Sequence, residues 1–143
     1  MPTMPTFRTL RCANAQLYIA ATIMVLAAAI YVLCCKDALW QQITAVAAAI
    51  ITPIWTAFYA VLRITVNATG VTRRALTGST RISWSELGTA TLRETSTPGT
   101  ESCSIDLCAG ETRITISSDL FPLDDVQELA KELQECGLLR EHA

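Results

Sequence analysis

The chain of 143 residues lacks charged side chains over two long stretches, residues 16–35 and residues 39–62. This absence excludes the amphipathic helix of a soluble protein for both stretches, because such a helix keeps a polar face toward water. At about 1.5 Å per residue, a helix of roughly 20 residues is ~30 Å long and matches the hydrocarbon core of a bilayer. We therefore predict two transmembrane helices, one over each stretch.

Only Lys36, Asp37 and Ala38 separate the two stretches, which predicts a tight turn and an antiparallel helical hairpin over residues 16–62. Two other interpretations are open. A cleaved signal peptide explains the basic start and the first apolar stretch, but not the second stretch that follows at once. A soluble chain with two buried core helices is the other, although the remaining residues are few for covering two helices that are apolar all round.

Lysine and arginine near the ends of the helices indicate the orientation. The basic residues that flank the hairpin are Arg8, Arg11, Arg63, Arg73 and Arg74. The connector has a single Lys beside an Asp. The positive-inside rule therefore predicts that both ends of the chain are cytoplasmic, including an N-terminal segment over residues 1–15.

The chain is poor in the residues that most often carry chemistry. It has one histidine, His142, and its six cysteines form no C-x-x-C pair, so we expect no metal site. It also lacks G-x-S-x-G and phosphate-loop motifs, and Asp106 and Glu111 have no visible partner. We therefore expect no cofactor and no enzyme activity.

The charge of the C-terminal part argues against nucleic acid as a partner. Residues 63–143 carry eight basic and twelve acidic side chains, a net charge of −4, whereas residues 1–62 have a net charge of +2. Nucleic-acid binding neutralises phosphates with clustered Lys and Arg. A domain with this excess of acid does not fit that role.

Beyond residue 62 apolar residues alternate with polar ones, which is typical of half-buried strands. The predicted strands cover about residues 62–67, 71–76, 80–84, 87–94, 102–108 and 112–117. A helix over about residues 122–136 then has apolar residues at i, i+3, i+4 and i+7, with Gly137 as its C-cap. We predict an α+β protein whose domain over residues 63–137 is a curled antiparallel sheet plugged by this helix, followed by a tail over residues 138–143.

Three segments carry a resemblance to a known family: residues 64–75 (ITVNATGVTRRA), residues 80–87 (TRISWSEL) and residues 112–117 (TRITIS). With their order after two membrane helices, residues 62–137 resemble the bacterial pleckstrin-homology-like (PH-like) membrane proteins. The resemblance implies a partial β-barrel capped by a helix, on the cytoplasmic face of the bacterial inner (plasma) membrane. A seventh strand, which a full barrel has, is not evident in the sequence.

What the resemblance implies for function is binding of lipid head groups, peptides or other proteins. The candidate residues for an anionic lipid or a partner are Arg63, Arg73, Arg74 and Arg81. Because Arg73 and Arg74 are adjacent in a strand, they point to opposite faces and cannot form one clamp. The alternative is general attraction of these arginines to an anionic leaflet, at about 1 kcal/mol each.

We therefore expect a membrane-anchored binding or scaffolding module, with membrane lipids and a protein partner or a second copy as its partners. The alternative is a small accessory subunit of a larger membrane complex for transport or secretion. Its interface is then the alanine-rich hairpin, because small residues allow close helix packing in lipid. Trp84 alternates with Ile82, which favours a core position over a ligand platform.

Overall fold

The computed structural model describes residues 4–35 and 37–141. The chain forms two compact units, a helical unit over residues 14–61 and a β-rich unit that combines the residues before it with those after it. Lys36 of the predicted connector and His142 lie outside the described residues.

The helical unit is an antiparallel pair of long helices, α1 (Ala15–Cys35) and α2 (Leu39–Val61). Both are long and apolar enough to cross a membrane, with mean hydropathies of 2.4 and 1.7 over their most apolar windows. Only 11% and 6% of these windows are buried within the protein, so neither helix is a core helix of the β-rich unit. The predicted end of the second helix is one residue too late, because Leu62 leaves α2 and is buried in the core of the β-rich unit.

A small polar cluster joins the two helices. The Thr22 hydroxyl donates to the carbonyl oxygen of Tyr18 at 2.8 Å, and the Thr56 hydroxyl reaches the same carbonyl from α2 at 3.3 Å. The two hydroxyls also contact each other. The rings of Tyr18 and Tyr59 stack beside them with centroids 4.6 Å apart. These contacts satisfy polar groups that an apolar solvent would leave unpaired.

The first sheet has the order β1-β2-β3-β4, and all its pairs are antiparallel. Its strands are β1 (Arg8–Arg11), β2 (Arg63–Asn67), β3 (Gly70–Ala75) and β4 (Gly78–Ser83). The periodicity of the sequence does not predict β1, because this strand has four residues and buries only Leu10 among them. The predicted N-terminal segment is therefore part of the β-rich unit, and the helical pair is inserted between two paired strands.

The second sheet has the order β7-β6-β5-β8. Its strands are β5 (Thr89–Thr97), β6 (Thr100–Ala109), β7 (Thr112–Ser117) and β8 (Arg140–Glu141). The first three are antiparallel to their neighbours, whereas β8 pairs with β5 in parallel. The predicted tail is thus an edge strand in part, and Leu139 just before it belongs to the core.

Helix α3 (Leu123–Glu135) packs against the second sheet and covers the core. The predicted stripe is confirmed, since Val126, Leu129, Ala130 and Leu133 are all buried. The predicted inward residues of β6 and β7 are also buried: Cys103, Ile105, Leu107, Ile114 and Ile116. Trp84 lies just beyond β4, half-buried against this core, and its indole N–H donates to the carbonyl oxygen of Asn67 at 2.8 Å.

Candidate functional site

Three arginines from three neighbouring strands form a cross-strand row on the first sheet. Arg11 at the end of β1 lies opposite Arg63 at the start of β2, and Arg63 lies opposite Arg74 of β3. Ser79 of β4 lies opposite Arg74 and ends the row. All three arginines are exposed, and neighbouring strands are about 4.8 Å apart. We call Arg11, Arg63 and Arg74 the arginine row.

The strands that carry the arginine row contain no carboxylate. Leu10 and Ile64, the neighbours of Arg11 and Arg63, are buried, so the row faces away from the core. The four strands of the first sheet contain neither Asp nor Glu. Five acidic side chains lie instead on α3: Asp124, Asp125, Glu128, Glu132 and Glu135. The first sheet is therefore a cationic surface on a domain with a net negative charge.

The arginine row has no anionic partner among the described residues. Within that part of the chain, ion pairs join only Arg8 to Glu128 and Arg113 to Asp106. Like charges directly opposite each other destabilise a sheet, so the row costs the free protein stability. An external anion that bridges the guanidinium groups relieves this repulsion, and the planar forks of arginine match phosphate and carboxylate oxygens in pairs.

The row lies at the end of the sheet from which the chain continues into both long helices. Arg11 is the last residue of β1, and only Leu62 separates Arg63 from the end of α2. The turn between β3 and β4 lies at the same end of the sheet, and its Leu76 is 52% exposed. This end therefore combines unpaired cations with an exposed aliphatic side chain.

Arg73 and Arg74 do point to opposite faces, as their adjacency in a strand predicts. Arg73 lies opposite Ile64 and shares the core-facing side of the sheet. It is half-buried beside a cavity of about 180 Å³ at the turn between β3 and β4. Arg73 therefore does not belong to the same surface as Arg74.

Arg81 lies on the same face as the row, but two residues further along the strands. It is opposite Thr72, and its Nη2 donates to the Thr69 hydroxyl at 3.0 Å. Arg11 instead occupies the remaining place in the row beside Arg63. Sequence reasoning misses Arg11, because its neighbours in the sheet lie beyond both helices and no local pattern reveals that register.

Asp106 is not the lone carboxylate that the sequence indicates. It is buried on the outer side of the second sheet, where Thr115 Oγ1 donates to it at 2.6 Å and Arg113 Nη2 at 2.7 Å. Burial alone raises the pKa of Asp106, but the hydrogen bonds from Thr115 and Arg113 and the charges of Arg113 and Arg93 lower it overall. Counting outward from the turn between β6 and β7 places Thr115 opposite Asp106, so the register of the hairpin predicts this hydrogen-bond partner.

The N-terminal strand is fastened to α3 by polar contacts. Arg8 Nη2 lies 3.0 Å from Glu128 Oε1, and both the backbone N–H and the hydroxyl of Thr6 donate to Glu132. Burial raises the pKa of Glu132, whereas the hydrogen bonds from Thr6 and the charge of Arg8 lower it overall. These contacts explain how a strand of four residues stays in place before the first long helix.

The helical pair has an open apolar cleft of about 450 Å³ along one side. Its lining consists mainly of small and branched aliphatic side chains, with a tryptophan and two polar residues at one end: Val25, Ala28, Ala29, Val32, Trp40, Gln41, Thr44, Ala45 and Ala48. The alanines leave room for a close neighbour, which is the geometry that helix association in lipid requires.

No family model matches the chain, no curated protein matches its sequence, and no solved structure matches its fold.

Proposed function

We propose that the protein is a membrane-anchored binding module with a PH-like domain on the cytoplasmic face of a bacterial inner membrane. In this proposal α1 and α2 span the bilayer, and the arginine row contacts anionic lipid head groups. The observation that carries it is the arginine row itself: three exposed cations without a partner among the described residues, at the sheet end that leads into both helices.

The membrane anchor is supported by the size and the surface of the helical pair. Its helices have 21 and 23 residues, enough for ~30 Å of hydrocarbon. Only 11% and 6% of the residues in their apolar windows are buried within the protein, which leaves an apolar surface that water disfavours and lipid tails solvate. The basic residues at the outer ends of the helices support a cytoplasmic position for the β-rich unit.

The PH-like assignment is supported by the order of the strands. Seven antiparallel strands form a group of four and a group of three, and α3 follows them. With β1 included, the count reaches the seven strands that the resemblance implies. In this chain β1 precedes the helical pair, and the short β8 follows α3.

The expected size of the lipid contribution follows from the number of charges. Each arginine near an anionic surface contributes about 1 kcal/mol. Three such residues add ~3 kcal/mol, which is roughly a hundredfold in affinity. This is enough to hold a domain against an anionic leaflet, and the fork geometry adds a preference for phosphate groups.

The test is to extract the full-length protein gently from membranes of mixed composition and to measure the phosphatidylglycerol retained relative to phosphatidylethanolamine. We expect Arg63→Gln and Arg74→Gln each to lower this ratio. Arg93→Gln, which removes an exposed strand arginine from the second sheet, serves as the matched control. An enrichment that the row variants leave at the level of the control overturns the proposal.

A second candidate function is an accessory subunit of a larger membrane complex. The cleft that Ala28, Ala45 and Ala48 line favours it, because a helix of another subunit fits such a surface. Ala28→Leu or Ala48→Leu fills the cleft and should release a complex that co-purifies with the protein. If the same partners remain bound to both variants, this candidate fails.

A further inference from the structure

A row of hydroxyl groups lies directly behind the arginine row on the same face of the first sheet. Thr65 lies two residues beyond Arg63 in β2, opposite Thr9 of β1 on one side and Thr72 of β3 on the other. Side chains two residues apart in a strand share a face. Thr9 is exposed, and Thr65 and Thr72 are half-buried. The face therefore presents three guanidinium groups with three hydroxyl groups behind them.

The arginine row offers two bridging positions for anions, one between Arg11 and Arg63 and one between Arg63 and Arg74. Residues directly opposite each other have Cβ atoms about 4.5–5.5 Å apart, so a phosphate at either position reaches two guanidinium groups. The two positions are themselves one strand spacing apart, about 4.8 Å. Two phosphates that occupy both positions must therefore lie close together.

This spacing favours two phosphates on one molecule over two separate lipids. A lipid with a single phosphate brings its own pair of acyl chains, and these chains keep neighbouring phosphates in a leaflet apart. A bridge of three carbon atoms instead holds two phosphates at short range. Once the first phosphate is bound, the second binds intramolecularly, which raises the affinity without any further contact. Both neighbouring pairs of like charges are then bridged, whereas a single phosphate bridges only one pair.

Thr65 is placed to recognise the bridge between two such phosphates. It follows Arg63, the central arginine, in the same strand and so lies behind the midpoint of the two bridging positions. It also lies further than the row from the strand ends that connect to α1 and α2. A glycerol bridge has a hydroxyl group on its middle carbon and extends away from the acyl chains. The Thr65 hydroxyl can donate to that group or accept from it.

The surroundings of the arginine row favour a lipid as the source of the phosphates. Neither the strands of the first sheet nor residues 1–3, 36 and 142–143, which lie outside the described part, contain Asp or Glu. Leu76 at the same end of the sheet is 52% exposed. Cations beside an exposed aliphatic side chain suit the surface of an anionic leaflet, which argues for a lipid over a soluble diphosphate.

We propose that the first sheet binds a lipid head group with two phosphates joined by a glycerol bridge, the chemistry of cardiolipin. One phosphate lies between Arg11 and Arg63, the other lies between Arg63 and Arg74, and Thr65 bonds to the hydroxyl of the bridge. The inference rests on the proposed function and names the lipid class for it. Arg11 and Thr65 select the lipid, whereas general attraction to an anionic leaflet requires neither of them in particular.

The test places the full-length protein in vesicles of phosphatidylethanolamine that contain phosphatidylglycerol and cardiolipin at equal phosphate content. After gentle extraction in neutral detergent, the retained lipids are quantified by mass spectrometry per phosphate. We expect cardiolipin to be retained at least about tenfold over phosphatidylglycerol, because its second phosphate binds intramolecularly. Arg11→Gln should abolish this preference, because one bridging position is lost, while phosphatidylglycerol still binds between Arg63 and Arg74.

Two further variants separate this site from general attraction between charges. Thr65→Val should lower the preference for cardiolipin and leave the retained phosphatidylglycerol unchanged. Arg81→Gln removes a cation from the same face but outside the row, and it should change the preference little, because Arg81 donates to Thr69. A loss of preference in Arg81→Gln as large as that in Arg11→Gln overturns the inference.

The outcomes also distinguish this inference from the proposed function. If both lipids are retained equally per phosphate and both are lost in Arg63→Gln, the proposed function stands and the inference fails. If Arg63→Gln leaves both lipids at the level of the Arg93→Gln control, both fail. Inorganic pyrophosphate, at the phosphate concentration of the vesicles, is the soluble competitor. It should leave the cardiolipin bound, and its displacement of cardiolipin would assign the row to a soluble diphosphate instead.

Discussion

Arg11 and Arg63 lie directly opposite each other in the first sheet, although both long helices lie between them in the sequence. They are the last residue of β1 and the first of β2, so the pairing of these strands closes the loop that contains the helical pair. The hairpin is thus an insertion within the β-rich unit. Its two outer ends therefore connect to neighbouring strands, and a cation lies at each connection.

The central arginine of the row offers a prediction in which stability and binding change in opposite directions. Arg63→Thr removes the like charge between Arg11 and Arg74 and places a good strand former in β2. Thermal unfolding in neutral detergent should show a gain of about 0.2–1 kcal/mol. Lipid enrichment should fall in the same variant. Arg93→Thr, opposite Ser104, should give no gain, and a loss of stability in Arg63→Thr contradicts the repulsion.

The place of β1 in the core can be tested with two nearby apolar residues. Leu10 is 1% exposed, whereas Phe7 is 75% exposed. Leu10→Ala should destabilise the β-rich unit by about 2–5 kcal/mol, because it leaves a cavity among Ile64 and the other core side chains. Phe7→Ala should have little effect on thermal unfolding. If the two variants unfold at similar temperatures, β1 does not contribute to the stability of the core.

Local periodicity was sufficient for most of the architecture. The uncharged stretches predict α1 and α2 almost to the residue, and alternation predicts β2 to β7 with small errors at their ends. It fails for β1 and β8, because a strand of two or four residues has too few positions to show a pattern. Both strands are held by partners that are distant in sequence, and register over such distances is a tertiary property.

The candidate site, like the fold, could be predicted only in part from the sequence. Sequence reasoning places Arg73 and Arg74 on opposite faces, because adjacent strand residues alternate in direction, and the strand pairing agrees. It includes Arg73, which the pairing places on the core-facing side, and omits Arg11. Only the pairing of β1 with β2 brings Arg11 into the row, so Arg11 could not be assigned to the row from the sequence alone.

The stability of the folded protein should depend on pH through Asp106. Its pKa lies below the ordinary value of 3.8, so the folded state favours the carboxylate and this stabilisation is present above that pH. It is lost as the pH falls below 3.8 through the lower pKa of the folded state. Asp106→Asn should cost about 1–3 kcal/mol at pH 7, because Arg113 and Thr115 lose a charged acceptor. The difference from the native protein should shrink in acid.

The measurement is the midpoint of chemical unfolding between pH 7 and pH 2, compared with Glu111→Gln. Glu111 is an exposed carboxylate at the turn of the same hairpin, and its replacement should be nearly neutral. A cost for Asp106→Asn that stays constant with pH is incompatible with the proposed role of the charge.

Gly70 and Gly88 form a matched pair for testing close backbone approach. A Cβ at Gly70 would collide with the carbonyl oxygen of Ile82 and lie 2.9 Å from Ser83 Cα, and neither backbone group can move cheaply. Gly70→Ala should therefore destabilise the first sheet by about 1–3 kcal/mol. At Gly88 the nearest atom is the Cys108 carbonyl oxygen at 3.5 Å, an ordinary contact. Equal unfolding midpoints for the two alanine variants would refute the close approach of β3 and β4.

The threonine contacts in the hairpin predict a measurable coupling between α1 and α2. Thr22 and Thr56 bond to one carbonyl oxygen, that of Tyr18, and touch each other. In a double-mutant cycle with Thr22→Val and Thr56→Val, we expect a coupling free energy of about 0.6 kcal/mol, a usual value for hydrogen bonds between membrane helices. The readout is unfolding of the full chain in mixed micelles.

Thr44→Val is the control, because the Thr44 hydroxyl donates within its own helix to Trp40 at 2.9 Å. Coupling of Thr22 to Thr44 as large as its coupling to Thr56 would show that the bond across the helices contributes nothing specific.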